Sequence, residues 1–148
     1  MLTVNKLLQG KMTNMVYSVS PQDMVIDALE LMANKNIGAV MVMDGDQLIG
    51  IFSERDYARK GIIQGRKAKS TPVTEVMTAN VFTVTPDMSI EDCMQLFSDK
   101  HFRHLPVVTR QGEVVGMLSI SDIVSAIMRE QKEHIHFLEH YISGSLVQ

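Results

Sequence analysis

The sequence predicts an α+β fold: two β-α-β-β-α repeats packed through their sheets about an internal pseudo-two-fold axis. Three observations carry that expectation. One pattern of strand and helix signals is written twice, 65 residues apart. Its apolar strands run uninterrupted, which asks for helices over at least one sheet face. A chain of 148 residues, 45% hydrophobic and 21% charged, can bury a core, whereas either half alone leaves much apolar surface uncovered.

Each repeat opens on a strand: Val16-Tyr17-Ser18-Val19-Ser20-Pro21 returns as Val81-Phe82-Thr83-Val84-Thr85-Pro86. A helix follows. Val25, Ala28, Leu29 and Met32 stand at i, i+3, i+4 and i+7, with images Ile90, Cys93, Met94 and Phe97, so each copy gathers four apolar side chains on one face. Two strands then pair as a hairpin, 39–43 with 48–52 and 105–108 with 114–118, around Asp44-Gly45-Asp46 and Arg110-Gln111-Gly112. A last helix opens at Ser53 and at Ser119. The repeats are expected over 1–65, including an N-terminal helix, and 76–130, with a linker at 66–75 and a helical extension at 131–148.

Around the linker, Arg59, Lys60, Arg66, Lys67 and Lys69 form a basic cluster. It reads either as a solvated connector beside a helix C-terminus or as an aid to anion capture. Along the extension, Ile127, His134, Leu138 and Tyr141 follow one side, with Met128, Ile135 and Ile142 beside them. Packing on the parent fold and contact with a second subunit both account for such a stripe.

Several classes are disfavoured. No apolar run approaches the roughly 20 residues of a bilayer span, and MLTVNKLLQG lacks the long apolar stretch of a secretory signal. One cysteine, Cys93, excludes a disulfide scaffold and a multi-cysteine zinc site. A net charge of −3 argues against coating nucleic acid. Twelve Met and no Trp suggest an adaptable aliphatic core. No catalytic group is expected: a glycine-rich phosphate loop is absent, Cys93 falls on the apolar helix face, and Ser53 and Ser119 have no histidine at an obvious base position. His136 and His140, at i and i+4 beside His134, have metal-ligand spacing, but a solvated or interfacial role is the expectation, with no metal site.

The sharpest repeated motif is Gly50-Ile51-Phe52-Ser53-Glu54-Arg55-Asp56, with its counterpart Gly116-Met117-Leu118-Ser119-Ile120-Ser121-Asp122. Ser-x-x-Asp at a strand-to-helix junction is a capping box, serine hydroxyl on a backbone N–H and carboxylate reaching back. The same geometry suits a nucleotide. Free N–H groups at a helix start attract phosphate, an ionised Asp holds two ribose hydroxyls, and the glycine lets a flat ring approach the backbone. Spacing leaves both readings open.

The duplicated motif, the Val-x-Val-x-Pro openings and the run Arg103-His104-Leu105-Pro106-Val107-Val108 resemble a tandem cystathionine-β-synthase (CBS) domain pair, or Bateman module, over roughly residues 7–130. Ser53-Glu54-Arg55-Asp56-Tyr57-Ala58-Arg59-Lys60 and the linker end Thr71-Pro72-Val73 further resemble the free-standing bacterial type. The resemblance implies a cytoplasmic regulatory sensor, not an enzyme, that binds AMP, ADP, ATP, S-adenosylmethionine or NAD(H) in two clefts between the repeats. It implies a homodimer that relays its state to an effector protein, without a catalytic cofactor, nucleic acid or membrane. Carried over by position, one cleft would use Ser119 and Asp122 for phosphate and ribose, Arg103 and His104 for charge, and Thr13, Val16 and Tyr17 beside the adenine. The other would use Ser53, Arg55 and Asp56, with Thr78, Val81 and Phe82 by the base and Gly38 and Ala39 where the first has Arg103 and His104. On that assignment the Asp122 cleft is the stronger, and His104 makes its affinity pH-dependent. The alternative is a ligand-independent dimeric scaffold with vestigial clefts.

Overall fold

The computed structural model describes residues 2–10, 16–100 and 102–147. The chain folds as α1 (Val4–Gly10), β1 (Ser18–Val19), α2 (Val25–Lys35), β2 (Ala39–Asp44), β3 (Gln47–Ser53), α3 (Glu54–Asp56), α4 (Ile90–Lys100), β4 (His104–Val108), β5 (Val114–Ser119) and α5 (Ile120–Val147). A π-helical turn, Tyr57–Ile62, prolongs α3, and a 3-10 turn, Val73–Glu75, lies in the linker.

Each repeat is centred on an antiparallel hairpin. In the first, β2 pairs β3 from Ala39↔Ser53 to Asp44↔Gln47, and β1 adds in parallel on β2. In the second, β4 pairs β5 from His104↔Ser119 to Val108↔Val114. The expected opening strand of this repeat shrinks to one parallel bridge, Val84↔Val107. The reason is a missing donor. In the first repeat the Met41 N–H donates to the Tyr17 carbonyl at 3.2 Å. The image of Met41 is Pro106, which has no N–H to give, so the ladder cannot extend.

The helical faces fold largely as their spacing predicts. Val25, Ala28 and Met32 of α2 are buried, as are Ile90, Cys93 and Phe97 of α4. Met94 departs from the expectation and is exposed.

Two cores result, and each borrows from the other half of the chain. Val73 of the linker and Val76 at the start of the second repeat are buried with Val25, Val40, Val42 and Phe52 of the first repeat. Val4, Leu7 and Leu8 of α1 are buried with Ile90, Leu105, Val107 and Leu118 of the second. The N-terminal helix, contiguous with the first repeat in sequence, thus completes the core of the second. Backbone bonds repeat the exchange. The Val25 N–H donates to the Thr71 carbonyl at 2.8 Å and the Val73 N–H to the Asp23 carbonyl at 2.9 Å; the Ile90 N–H donates to the Leu2 carbonyl at 3.0 Å and the Val4 N–H to the Met88 carbonyl at 2.9 Å.

α5 buries Ile123 and Ala126, but every side chain from Met128 to Ile142 is exposed, so the stripe beyond Ile127 is not covered by the parent fold. No helix of the described residues is long and apolar enough to cross a membrane.

Candidate functional site in two clefts between the repeats

Both Ser-x-x-Asp motifs form closed caps. The Ser119 N–H donates to Asp122 Oδ2 at 2.9 Å, and the Asp122 N–H donates to Ser119 Oγ at 3.1 Å. At the other helix entry the Ser53 N–H and hydroxyl both donate to Asp56 Oδ2 at 3.0 Å, and the Asp56 N–H returns to Ser53 Oγ at 3.1 Å. Asp56 Oδ1 accepts the Thr78 hydroxyl at 3.1 Å and lies 3.5 Å from the Lys60 ammonium. The capping role is therefore realised, and the carboxylates are held by it at the mouths of two clefts.

The Asp56 cleft has a volume of about 490 Å³ and the Asp122 cleft about 480 Å³. Both fall in the size range of small-molecule sites. Each joins the helix entry of one repeat to the strand opening of the other. Ser53, Arg55, Asp56, Thr78, Val81 and Phe82 meet in the Asp56 cleft, with Phe102, Arg103 and His104 from the second repeat. Val16, Tyr17, Ser119 and Asp122 meet in the Asp122 cleft, with Gly38, Ala39 and Met41 from the first. Thr13 lies outside the described residues.

Two of the positional assignments exchange places. Arg103 lines the Asp56 cleft and Ala39 the Asp122 cleft, while Gly38 and His104 line both. Within each repeat, the peptide before the central strand is tied to its own helix entry: the Ile120 N–H donates to the Arg103 carbonyl at 3.3 Å, and the Glu54 N–H to the Gly38 carbonyl at 3.2 Å. The Arg103 side chain nevertheless lines the cleft at the helix entry of the other repeat.

The glycines of the two motifs are tightly packed. A Cβ on Gly50 would collide with the Met77 thioether and lie 3.1 Å from the Thr78 carbonyl oxygen; one on Gly116 would lie 2.9 Å from Leu8 Cδ2. Side chains of the exchanged segments pack against both glycines, and Gly116 also lines the Asp122 cleft.

Several lining residues escaped the sequence reading. Phe102 stands 5.7 Å, centroid to centroid, from Phe82 and gives the Asp56 cleft an aromatic wall. Asn80, Glu54 and Ile51 complete it. In the Asp122 cleft the additions are Leu8, Asn36, Ile37, Gly116, Met117 and Ser121. The basic residue Arg59, read from sequence as part of the linker cluster, lines the Asp56 cleft. Asn36 ends α2 at a positive φ of 54°, which Asn tolerates, so its residue type after Lys35 was the local signal for its position.

Burial, with a smaller contribution from the Asp92 charge, pushes the Cys93 thiol up to about 11, which leaves it protonated and inert. No group of three or more His, Cys, Asp or Glu is placed to hold a metal among the described residues.

The family model of the CBS domain matches the chain twice, over residues 4–62 and 73–129. The chain is 45% identical over 127 residues to the mitochondrial CBS domain-containing protein CBSX3 of Arabidopsis thaliana; the match covers 82% of this chain and 61% of that protein, less than two thirds of its length. It is 38% identical over 116 residues to the CBS domain-containing protein YhcV of Bacillus subtilis, covering 78% of this chain and 81% of YhcV. Among solved structures, a protein with CBS domains from Burkholderia ambifaria superposes with a TM-score of 0.84 at 44% identity, covering 87% of this chain and 96% of that one. CBSX2 in complex with AMP superposes with a TM-score of 0.73 at 28% identity, covering 88% and 99%.

Proposed function

The chain belongs to the CBS-domain family, and from that we propose that it is a regulatory sensor of adenine nucleotides, AMP first among them, rather than a catalyst. One observation carries the reading: each cleft joins the helix entry of one repeat to the strand opening of the other, so a ligand seated there touches both repeats at once. The AMP complex of the similar protein CBSX2 supports the ligand class. NAD(H) shares the adenosine half and is the second ligand to try. A bridging ligand that fits one relative position of the repeats better than another shifts the population toward it. An effector protein then reads that position.

A melting experiment tests this. At 100 times its Kd a ligand stabilises the native state by about 2.7 kcal/mol. For a domain near this size the melting temperature then rises by roughly 5–10 °C. We expect AMP to produce such a rise and the double variant Asp56→Asn/Asp122→Asn, which keeps an oxygen for each cap, to abolish most of it. No rise with AMP, ADP, ATP or NAD(H) overturns the proposal. It would leave the scaffold reading, which the closed caps support: Asp56 already has hydrogen-bond and ionic partners on both oxygens.

The chain acts as a homodimer in this proposal. Support comes from α5, where Met128, Ile135, Phe137, Leu138, Tyr141 and Ile142 remain exposed. Native mass spectrometry gives the subunit count and any co-purified nucleotide together; a monomeric mass at micromolar concentration overturns this part.

A further inference from the structure

Where α5 leaves the body of the fold it carries a pattern that neither cleft uses. Val124, Met128, Gln131, Ile135, Leu138 and Ile142 follow one another at steps of four, three, four, three and four. That is the seven-residue repeat of a coiled coil, with Met128, Ile135 and Ile142 at its first position and Val124, Gln131 and Leu138 at its fourth. The apolar members are all exposed, from 44% at Leu138 to 64% at Met128, and Gln131 is exposed among them. Ile123 and Ala126 are buried in the second core. The helix is therefore anchored at its start, and its seam stands off the body.

The residues of the seam say what covers it. Ile at the first position with Leu at the fourth favours two strands. The stretch 128–142 spans about 22 Å at roughly 1.5 Å per residue, and two heptads alone would make a marginal helix. Here they continue a helix already folded onto the second core, so pairing costs little further ordering. Gln131 selects the orientation. In a parallel pair it meets Gln131 of the second copy, and the two amides satisfy each other across the axis. In an antiparallel pair first positions face fourth positions, so Gln131 would meet Met128, Ile135 or Ile142 and bury its amide without a partner. The flanks suit the parallel choice. His134 then lies beside Glu139 of the second copy and Ile127 beside the aliphatic stem of Lys132, so no two like charges are brought together.

Resting on the homodimer part of the reading above, we propose that the partner of α5 is a second copy of this chain, joined through a parallel two-stranded coiled coil from Val124 to Ile142 with Gln131 paired to Gln131. No residue of the seam lines either cleft, so the pairing leaves both clefts open and needs no nucleotide. Phe137, 65% exposed, falls on the opposite side of the helix from Ile135 and is no part of the seam.

Sedimentation velocity on the full chain without nucleotide, over a concentration series, tests the contact. Ile135→Asp places a charge in the seam, and Phe137→Asp places the same charge off it. We expect the dimer dissociation constant to rise at least about tenfold in the first and to match the wild type in the second. Amide-exchange protection of β4 and β5 should be alike in both, which separates a lost contact from lost folding. Gln131→Cys and Ile142→Cys, made singly and oxidised with diamide, test the orientation. In a parallel pair each cysteine faces its own copy, and both variants form linked dimers; in an antiparallel pair at most one of the two positions lies near its own copy. Cys93 is buried and protonated and does not compete. Linkage at one position only, or at neither, overturns the parallel pairing. A wild type that dimerises, with Ile135→Asp as tight or Phe137→Asp as weakened, means that the copies meet through another surface: the coiled coil falls and the homodimer stands. A monomeric wild type removes both and leaves the nucleotide reading untouched.

Discussion

Cys93 occupies the position that Ala28 fills in the first repeat, and both side chains are fully buried. Its thiol pKa is raised from 9.0 to about 11 by burial first and by Asp92 second. A group whose folded-state pKa is raised contributes stability that is complete below its unfolded pKa and is lost as pH climbs through the folded value. The window is thus about pH 9 to 11. The shift corresponds to roughly 2–3 kcal/mol. Urea unfolding at pH 8 and pH 11 should show the wild type losing more stability than Cys93→Ala by about that amount. Tyrosines and lysines titrate in the same range, so the difference between the two proteins, not either curve, carries the result. Equal losses would mean that the thiol meets water in the native state.

The strand–helix junctions show how tightly the elements are fitted. Gly50 of β3 receives Met77, and any side chain there also meets the Thr78 carbonyl at 3.1 Å, a backbone atom held by its own bonds to Ile51. Gly50→Ala should therefore destabilise by about 1–3 kcal/mol, the usual result of overpacking. Met77→Ala in the same chain should recover only part, because the Thr78 carbonyl remains. Full recovery in a denaturant titration would place the whole conflict on the Met77 side chain. The motif around Gly50 was visible in the sequence through its repetition, and so were the caps, the hairpins and the inner faces of α2 and α4. The glycine's purpose was not, since its neighbour comes from 27 positions further along the chain. The same limit governed Arg103. Its charge and its place before β4 are local, whereas the cleft it serves depends on how two repeats cross. Pro106 was legible as a residue, but its effect on the opening strand of the second repeat depends on a carbonyl across the ladder.

The exchange of segments makes the two halves one cooperative body. Each core is closed by residues from a segment outside its own repeat: Val73 and Val76 close the first, and Val4, Leu7 and Leu8 close the second. Periodicity could not reveal this, because α1 has only seven residues and reads as a prelude to the first repeat. The consequence is energetic. A buried leucine cut to alanine loses about 2–5 kcal/mol, and Leu7 is 4% exposed. We expect Leu7→Ala to lower the stability of the whole chain by an amount in that range. Chemical denaturation should still follow a single transition, whether read by helix content or by amide exchange in β4 and β5. Ile63→Ala, at a side chain 78% exposed, is the control and should stay within about 0.5 kcal/mol of the wild type. A Leu7→Ala protein in which α1 frays while β4 and β5 keep their protection would show that α1 merely rests on the second core. Loss of protection in both hairpins together would show instead that a change at the start of the chain reaches both clefts, as a sensor that reads the relative position of its repeats requires.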